Sequence, residues 1–182
     1  MYKGLMINQL PYGTVVPGKK VGSFVALTAT SQLYKHYEDP TMTAEYRARS
    51  FPVVLMIHRW DGRFGFPGGF AENGENPVDV ALRELAEEVG ITNTGKIEGV
   101  CTHEAERIVV HFHHLHLGEL EVTELQKILV KAAGAEHAVV EGCPSWVHLA
   151  HYGHGKGLEV ILNSNMLSTA VREELEILIQ RI

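Results

Sequence analysis

The sequence predicts a single α/β domain, and three observations support this. Short apolar runs rich in β-branched and aromatic residues, clearest at 51–59, alternate with helical patterns, clearest at 76–90. The chain has 182 residues, of which 45% are hydrophobic and 21% charged, a composition that suits one globular core. No repeat, low-complexity tract or linker divides the sequence. We therefore expect one domain over residues 1–182.

Charge and cysteine content narrow the class of protein. The formal net charge of −6 argues against a broad basic surface for nucleic acid, but it is compatible with a local basic pocket for a phosphate chain or an RNA end. No apolar run approaches the length of a membrane span, and the N-terminus lacks the pattern of a signal peptide. Cys101 and Cys143 indicate reduced thiols. We expect no membrane association and a cytoplasmic location, or a nuclear one in a eukaryote.

The first half of the chain predicts two strands and an excursion between them. After a lead-in over 1–22, residues 23–29 form a short buried-strand pattern. Residues 30–50 indicate an excursion with a short helix around 43–49, serving either as a surface loop or as a lid or substrate wall. Residues 51–59 predict a second strand, with Pro52 near its start.

A turn at 60–63 and a glycine-rich extended segment at 64–70 lead into the best-marked helix. Asn76 is the predicted N-cap, Pro77 the first helical residue and Gly90 the residue that ends the helix. The predicted buried stripe consists of Val78, Leu82, Leu85 and Val89.

The second half predicts an antiparallel pair of strands followed by helices at its middle and end. The expected elements are strands at 96–103 and 106–117, a helix from a capping box at Thr123 to about Ala133, strand structure within 138–149, a loop at 151–157, and a final amphipathic helix capped by Ser168.

Three carboxylates, Glu84, Glu87 and Glu88, fall on one face of the predicted central helix. Such a face is usually only solvated, and like charges at this spacing repel one another. A divalent cation would offset the repulsion, and carboxylate oxygens suit Mg²⁺ or Mn²⁺. Gly68 and Gly69, just before the helix, could admit phosphates and add a backbone carbonyl ligand.

The full pattern around these carboxylates is far more specific than the carboxylates alone. Residues at the intervals of the Nudix box span 69–91, and they are Gly69, Glu75, Arg83, Glu84, Leu85, Glu87, Glu88, Gly90 and Ile91. A chance match has a frequency on the order of 10⁻⁹ to 10⁻¹⁰. The chain thus resembles the Nudix hydrolase superfamily.

That resemblance implies an α/β/α sandwich around a mixed sheet, with a loop–helix–loop metal site. It also implies Mg²⁺- or Mn²⁺-dependent hydrolysis of a nucleoside diphosphate linked to another moiety. Glu84, Glu87 and Glu88 would be the metal ligands and catalytic carboxylates, and Glu75 and Arg83 the structural pair. The general base stays open; the candidates are a glutamate of the box or one of Glu104, Glu136, Glu141, Glu173 and Glu174.

Residues 55–70, 109–112 and 163–175 are similar to the U8 snoRNA-decapping Nudix hydrolases (Nudix type 16). Members of that group hydrolyse inosine-type nucleoside diphosphates, remove RNA caps and often form homodimers. The similarity implies a nucleotide or capped RNA end as partner and a homodimer as the assembly. Arg59 and Phe66 match substrate-contacting positions, His103 matches a histidine near the substrate, and Glu174 falls where the group has a glutamine.

Alternatives are open at this stage. Phe66 could be a core residue and Arg59 a solvated strand end. His111, His113, His114 and His116 should split between two sheet faces rather than form a metal cluster, and His151 and His154 indicate loop surface. The substrate could instead be ADP-ribose, NAD or a dinucleoside polyphosphate, or the chain could be an inactive nucleotide- or RNA-binding Nudix module.

Overall fold

A mixed eight-stranded sheet forms the centre of the computed structural model. The structure describes residues 7–36, 38–72, 74–92, 95–135, 142–149, 151–152, 156–164 and 166–182, with the backbone alone described at 151–152 and 156–157. The strands are β1 (Asn8–Leu10), β2 (Lys20–Ser31), β3 (Phe51–Arg59), β4 (Phe64–Gly65), β5 (Gly68–Phe70), β6 (Glu98–Glu104), β7 (Ile108–Glu119) and β8 (Gly142–His148), with a separate β9 (His151–Tyr152) and β10 (Lys156–Gly157) pair. The helices are α1 (Ala44–Arg47), α2 (Pro77–Glu84), α3 (Val122–Ala133), α4 (Leu158–Leu162) and α5 (Val171–Ile179).

Strand β2 is the hub of the sheet. The strand order is β1-β6-β7-β2-β3-β4, with β5 added beside β2 and β8 beside β3. Strand β2 runs parallel to β7 and antiparallel to β3 and β5, which makes the sheet mixed. The predicted antiparallel pair at 96–117 is confirmed as β6 and β7.

Helices cover both faces of this sheet because β2 and β3 alternate apolar side chains toward each face. On one face Val25 and Leu27 pack with Leu85 of the central helical segment and Ala132 of α3. On the other face Ala26 lies in a core with side chains of α4 and α5, including Leu158, Val171, Leu175 and Leu178. The α/β/α sandwich around a mixed sheet is therefore confirmed.

The central helix begins and ends at the predicted residues. The Asn76 side chain accepts hydrogen bonds from the backbone N–H groups of Val78 and Asp79, each at 3.0 Å, and Pro77 follows as the first helical residue. The last turn, Leu85–Val89, is π-helical, and it ends at Gly90 with φ of 72°.

The predicted buried stripe of this helix is partly wrong. Leu85 and Val89 are fully buried as predicted, but Val80 and Ala81 are buried in place of Val78 and Leu82, which are half-buried. The π turn holds more residues per turn than an α turn, so residues four apart stay aligned. Ala81, Leu85 and Val89 consequently form one row against the sheet.

Several predicted boundaries in the second half are wrong. The N-cap of α3 is Glu121, whose N–H is bonded by Glu124, rather than Thr123. Ala170, with φ of 70°, precedes α5 in place of the predicted Ser168 cap. The loop predicted at 151–157 contains the paired β9 and β10, and α4 was not predicted. Residues 138–141 of the predicted strand segment lie outside the described residues, and β8 begins at Gly142.

The excursion after β2 packs on the sheet through aromatic contacts. Tyr34 and Tyr46 lie with ring centroids 5.6 Å apart, and each contacts Phe51. Thr43 caps the short helix α1 by accepting from the N–H of Tyr46, so the helix predicted around 43–49 is confirmed. Tyr37 lies outside the described residues.

Within the part of the chain that the structure describes, no helix combines the length and the apolar character that crossing a bilayer requires.

Candidate active site

The box carboxylates are organised by Arg83 on helix α2. Its Nη1 donates to Glu84 Oε1 at 2.9 Å and to Glu87 Oε2 at 3.1 Å. Its Nε and Nη2 donate to the two oxygens of Glu75 at 3.1 and 3.2 Å, and Nη2 also donates to the Phe70 carbonyl at 3.1 Å. One planar guanidinium thus joins the loop before the helix to two box carboxylates.

This arrangement shifts the pKa values of the structural pair in opposite directions. Hydrogen bonds from Arg83 lower the pKa of the Glu75 carboxyl, and the bonds to Glu75 raise the pKa of Arg83. The pairing of Arg83 with Glu75 that the resemblance implies is seen, and Arg83 also pairs with Glu87. Asp79, one turn back on the same helix, contacts the Asn76 side chain.

The glycine-rich strand β5 lies directly against the other side of the carboxylates. Glu88 is 7% exposed, and its Oε2 accepts a hydrogen bond from the Gly68 N–H at 2.9 Å. A Cβ on Gly69 would overlap the carboxylate of Glu84, whose Cδ would lie 2.6 Å away. The absence of a side chain at Gly69 therefore makes room for Glu84.

These residues fit a divalent cation in their chemistry. Three carboxylates supply hard oxygen donors, and they lie beside glycine backbone that carries no side chain. A Cβ at Gly69 would fill the space beside Glu84. Within the described ranges, no three Asp, Glu, His or Cys side chains already meet at one point. Glu84 and Glu87 meet at Arg83, whereas Glu88 turns inward to Gly68.

A cavity of about 230 Å³ opens next to residues 64–70. It brings together the four residues outside the box that the resemblance suggested as site residues. Arg59, Phe66, His103 and Glu174 all line it, although they come from three strands or loops and a helix. Its apolar walls include Phe24, Phe66, Phe70, Ile108 and Val110. The segment 64–70 therefore borders the cavity and also contacts the box carboxylates.

The buried lining of the cavity contains an acid and an imidazole. Glu174 and His103 are each 3% exposed, and Glu174 Oε1 lies 3.9 Å from His103 Nδ1, beyond hydrogen-bond distance. Burial raises the pKa of Glu174 to about 8 and lowers the pKa of His103. His103 Nε2 lies 3.2 Å from the Cys101 thiol.

Three polar atoms around this cavity are buried without a hydrogen-bond partner among the described residues. They are Arg59 Nε, His103 Nδ1 and Ser168 Oγ. An unsatisfied buried polar atom costs free energy, so its recurrence in one cavity indicates a site built for a polar ligand. Arg59 Nε has the Asp61 carboxylate 3.7 Å away, at the side of the cavity where Arg63 also lies.

Phe66 is both a core residue and a wall of the cavity. It is 4% exposed and packs on Phe112 with ring centroids 5.1 Å apart. The two readings of Phe66 are therefore compatible. By contrast, no described residue of the excursion at 30–50 lines this cavity, so its role as a lid or substrate wall stays a prediction.

The sequence reasoning missed Ser168 and the backbone around it as part of the site. The Phe64 N–H donates to the Met166 carbonyl at 2.6 Å, and the Ser168 N–H donates to the Phe64 carbonyl at 2.9 Å. These bonds bring the start of α5 beside β4. No local sequence pattern marks a pairing across about one hundred residues.

The histidines of β7 split between the two sheet faces, as predicted. His113 Nε2 lies 2.8 Å from Ser23 Oγ, whereas His114 and His116 both contact Thr28. Among the remaining base candidates, Glu104 is paired with Lys19 at 2.7 Å. Glu136, Glu141 and His154, together with the His151 side chain, lie outside the described residues.

The comparisons with known proteins agree with this architecture. The profile of the Nudt16-like family, described as U8 snoRNA-decapping enzyme-like, matches residues 28–181. A U8 snoRNA-decapping enzyme of Mus musculus is 33% identical over 135 residues, covering 69% of this chain and 68% of the mouse protein. One of Homalodisca vitripennis is 34% identical over 92 residues, covering 46% of this chain, and the match spans about half of that relative, 49%.

A solved structure supports the fold independently. A MutT/Nudix family protein from Listeria innocua superposes with a TM-score of 0.59 at 15% identity, covering 91% of this chain and 95% of that one. At this identity the likeness shows the fold alone, and it shows the Nudix fold. With the family profile spanning most of the sequence, the chain belongs to the Nudt16-like family of Nudix proteins.

Proposed function

We propose that this protein is a divalent-metal-dependent pyrophosphohydrolase that cleaves a nucleoside diphosphate linked to another moiety. The observation that carries the proposal is the continuity of the site. The segment 64–70 borders the cavity with Phe66 and Phe70, and it contacts box carboxylates with Gly68 and Gly69. A base bound in the cavity would place its phosphates toward the carboxylates.

Glu84, Glu87 and Glu88, with the backbone carbonyl of Gly68, would hold Mg²⁺ or Mn²⁺. When bound, the cation would neutralise the pyrophosphate and supply an activated water for attack on phosphorus. The chain's own contribution is positioning: Arg83 fixes Glu84 and Glu87, and the Gly68 N–H fixes Glu88.

Cations near the cavity suit a phosphate chain. Arg59 and Arg63 line it, and Lys20 Nζ lies 3.8 Å above the Phe70 ring. They give a local basic edge to a chain of net charge −6. The local charge therefore permits an anionic nucleotide or RNA end without a basic surface.

For the substrate, we propose the capped 5′ end of an RNA, with IDP-like nucleotides hydrolysed at the same site. Support for the RNA cap comes from relatives named as U8 snoRNA-decapping enzymes that are 33–34% identical to this chain. The cavity, at about 230 Å³, is below the about 300–1,000 Å³ of sites that enclose a whole drug-sized ligand. It suits one base, with the remainder of the substrate outside.

The proposal is tested by measuring turnover of cap-labelled RNA in competition with IDP, ADP-ribose, NAD and dinucleoside polyphosphates. The assay uses Mg²⁺ or Mn²⁺ at a stated salt concentration, because RNA affinity depends on salt. We expect Glu84→Gln and Glu88→Gln to lose activity and the exposed Glu72→Gln to retain it. Unchanged turnover in both site variants would refute the proposal that these carboxylates support hydrolysis. If IDP turns over about 100-fold faster than any RNA, decapping must be abandoned.

A further inference from the structure

Glu174 is placed where a buried carboxylate would have no countercharge. It is 3% exposed, and among the described residues the polar atom beside its carboxyl group is His103 Nδ1, 3.9 Å away on a side chain that is itself 3% exposed. Burying an unpaired ion costs far more than burying a neutral acid. The arrangement therefore favours the protonated carboxyl.

The surrounding titratable groups do not reverse this preference. Glu173 of the same helix repels a negative charge at Glu174, and the Cys101 thiol of β6 stays protonated because burial raises its pKa to about 12. Of the cations lining the cavity, Arg59 lies next to Asp61, and Arg63 is exposed. Burial lowers the pKa of His103, so the imidazole is neutral too.

A neutral carboxyl differs from a carboxylate in what it can recognise. The acid presents one O–H donor and one C=O acceptor side by side, whereas the carboxylate presents acceptors only. A purine with a lactam edge, such as hypoxanthine, offers C6=O next to N1–H and matches the acid. Guanine has the same edge and adds a 2-amino group, so its N1–H and N2–H pair matches the carboxylate as well.

Building on the proposed function, we infer that Glu174 is a specificity-determining residue that reads the ring edge of the substrate's base as a neutral acid. It acts with His103 in the buried lining of the Phe66 cavity and takes no part in the attack on phosphorus. The two buried side chains lie in one cavity, and His103 Nδ1 is left for a ligand to satisfy. Hypoxanthine then binds only while Glu174 is protonated, whereas guanine can bind in both states and is favoured once Glu174 ionises.

The test is binding of IMP and GMP to the purified protein from pH 6.5 to pH 9.0 by calorimetry, which needs no turnover. Since the pKa of Glu174 is about 8, the neutral fraction falls about 10-fold over this range, and the dissociation constant for IMP should rise by about the same factor. The constant for GMP should stay level or fall. The ratio between the two nucleotides is therefore expected to change with pH.

Two variants isolate the cause. Glu174→Gln keeps a donor and an acceptor at all pH values, so its IMP affinity should vary no more than the ionisation of the base itself requires. Glu176→Gln, which changes an exposed residue on the same helix, should keep the wild-type pH dependence. If Glu174→Gln does not fold, the wild-type ratio of IMP to GMP affinity decides alone.

The inference is overturned if the wild-type ratio is independent of pH, or if neither nucleotide binds. It is also overturned if Glu174→Gln binds IMP normally but loses kcat, since Glu174 would then act in the chemistry. Failure of the proposed function looks different: the wild type would bind both nucleotides with the expected pH dependence and hydrolyse no pyrophosphate compound with Mg²⁺ or Mn²⁺.

Discussion

The substitution Gly69→Ala tests whether the position of the Glu84 carboxylate matters. The added Cβ would lie 2.6 Å from Glu84 Cδ and 3.1 Å from Oε2. Carbon contacts are optimal at about 3.5–4.0 Å, so the carboxylate must move by about 1 Å. A misplacement of about 1 Å can cost about 10²-fold in rate, or about 2.7 kcal/mol of transition-state stabilisation.

The fold should tolerate this change. Gly69 is not among the glycines with positive φ, and the displaced atoms belong to the end of a flexible side chain. We expect Tm to fall only slightly, with a cost of about 1 kcal/mol for overpacking. The assay pairs phosphate release from IDP with thermal unfolding of the same sample.

Two other glycines serve as controls. Gly68→Ala should lose both activity and stability, because Gly68 has φ of 150° and its Cβ would lie 2.6 Å from Phe24 Cα, which is backbone. Gly134→Ala should change neither, since its nearest neighbour would be 3.5 Å away. If Gly69→Ala retains wild-type kcat/KM, the view that β5 positions Glu84 is wrong.

Three further predictions rest on single contacts. Arg83→Lys keeps the positive charge but loses the two parallel hydrogen bonds to Glu75, so kcat/KM should fall at least about 10-fold. Wild-type kinetics in a steady-state assay would contradict the positioning role of Arg83. An aromatic disulfide reagent should label the exposed Cys143 and leave Cys101 unlabelled, because Cys101 is buried and its pKa is raised to about 12. Two fast-reacting thiols in the native state would contradict the burial of Cys101. Burial lowers the pKa of His113 to about 4, so the folded state resists protonation of this side chain, and the free energy of unfolding should fall as pH falls from about 6.5 toward 4. The Tm of His113→Gln should depend less on pH in this range. Identical slopes of Tm against pH in the two proteins would refute the assignment.

Features set by neighbouring residues could be predicted from the sequence. Asn76 and Gly90 bound the central helix because capping needs only the residues beside it. The Glu75 and Arg83 pair lies within one loop and one helix, and the box intervals gave it. The burial of Ala81 could not be predicted, because the hydrophobic pattern does not indicate the π turn that aligns Ala81 with Leu85 and Val89.

The cavity shows the opposite case. His103 comes from β6, Glu174 from α5 and Phe66 from the turn between β4 and β5, so only tertiary structure brings them together. The resemblance to a family suggested these residues individually, but the residue pattern alone gave no reason to group them. Ser168 was predicted as a helix cap, and its place in the cavity follows from the pairing of 166–168 with β4.

The central position of β2 also sets the order in which the sheet can assemble. Its parallel partner β7 pairs Lys20 with Ile108 and Thr28 with His116, close to ninety residues later in the chain. The chain must lose loop-closure entropy before two strands so far apart in sequence can form stabilising contacts. Folding is therefore slow relative to helical proteins. On the ribosome, β2 must wait with one edge unpaired until β7 has emerged, and an unpaired strand edge is a site for pairing with other chains. The strand that supports the cavity and the box is therefore also a segment of the nascent chain that is exposed to aggregation until β7 has emerged.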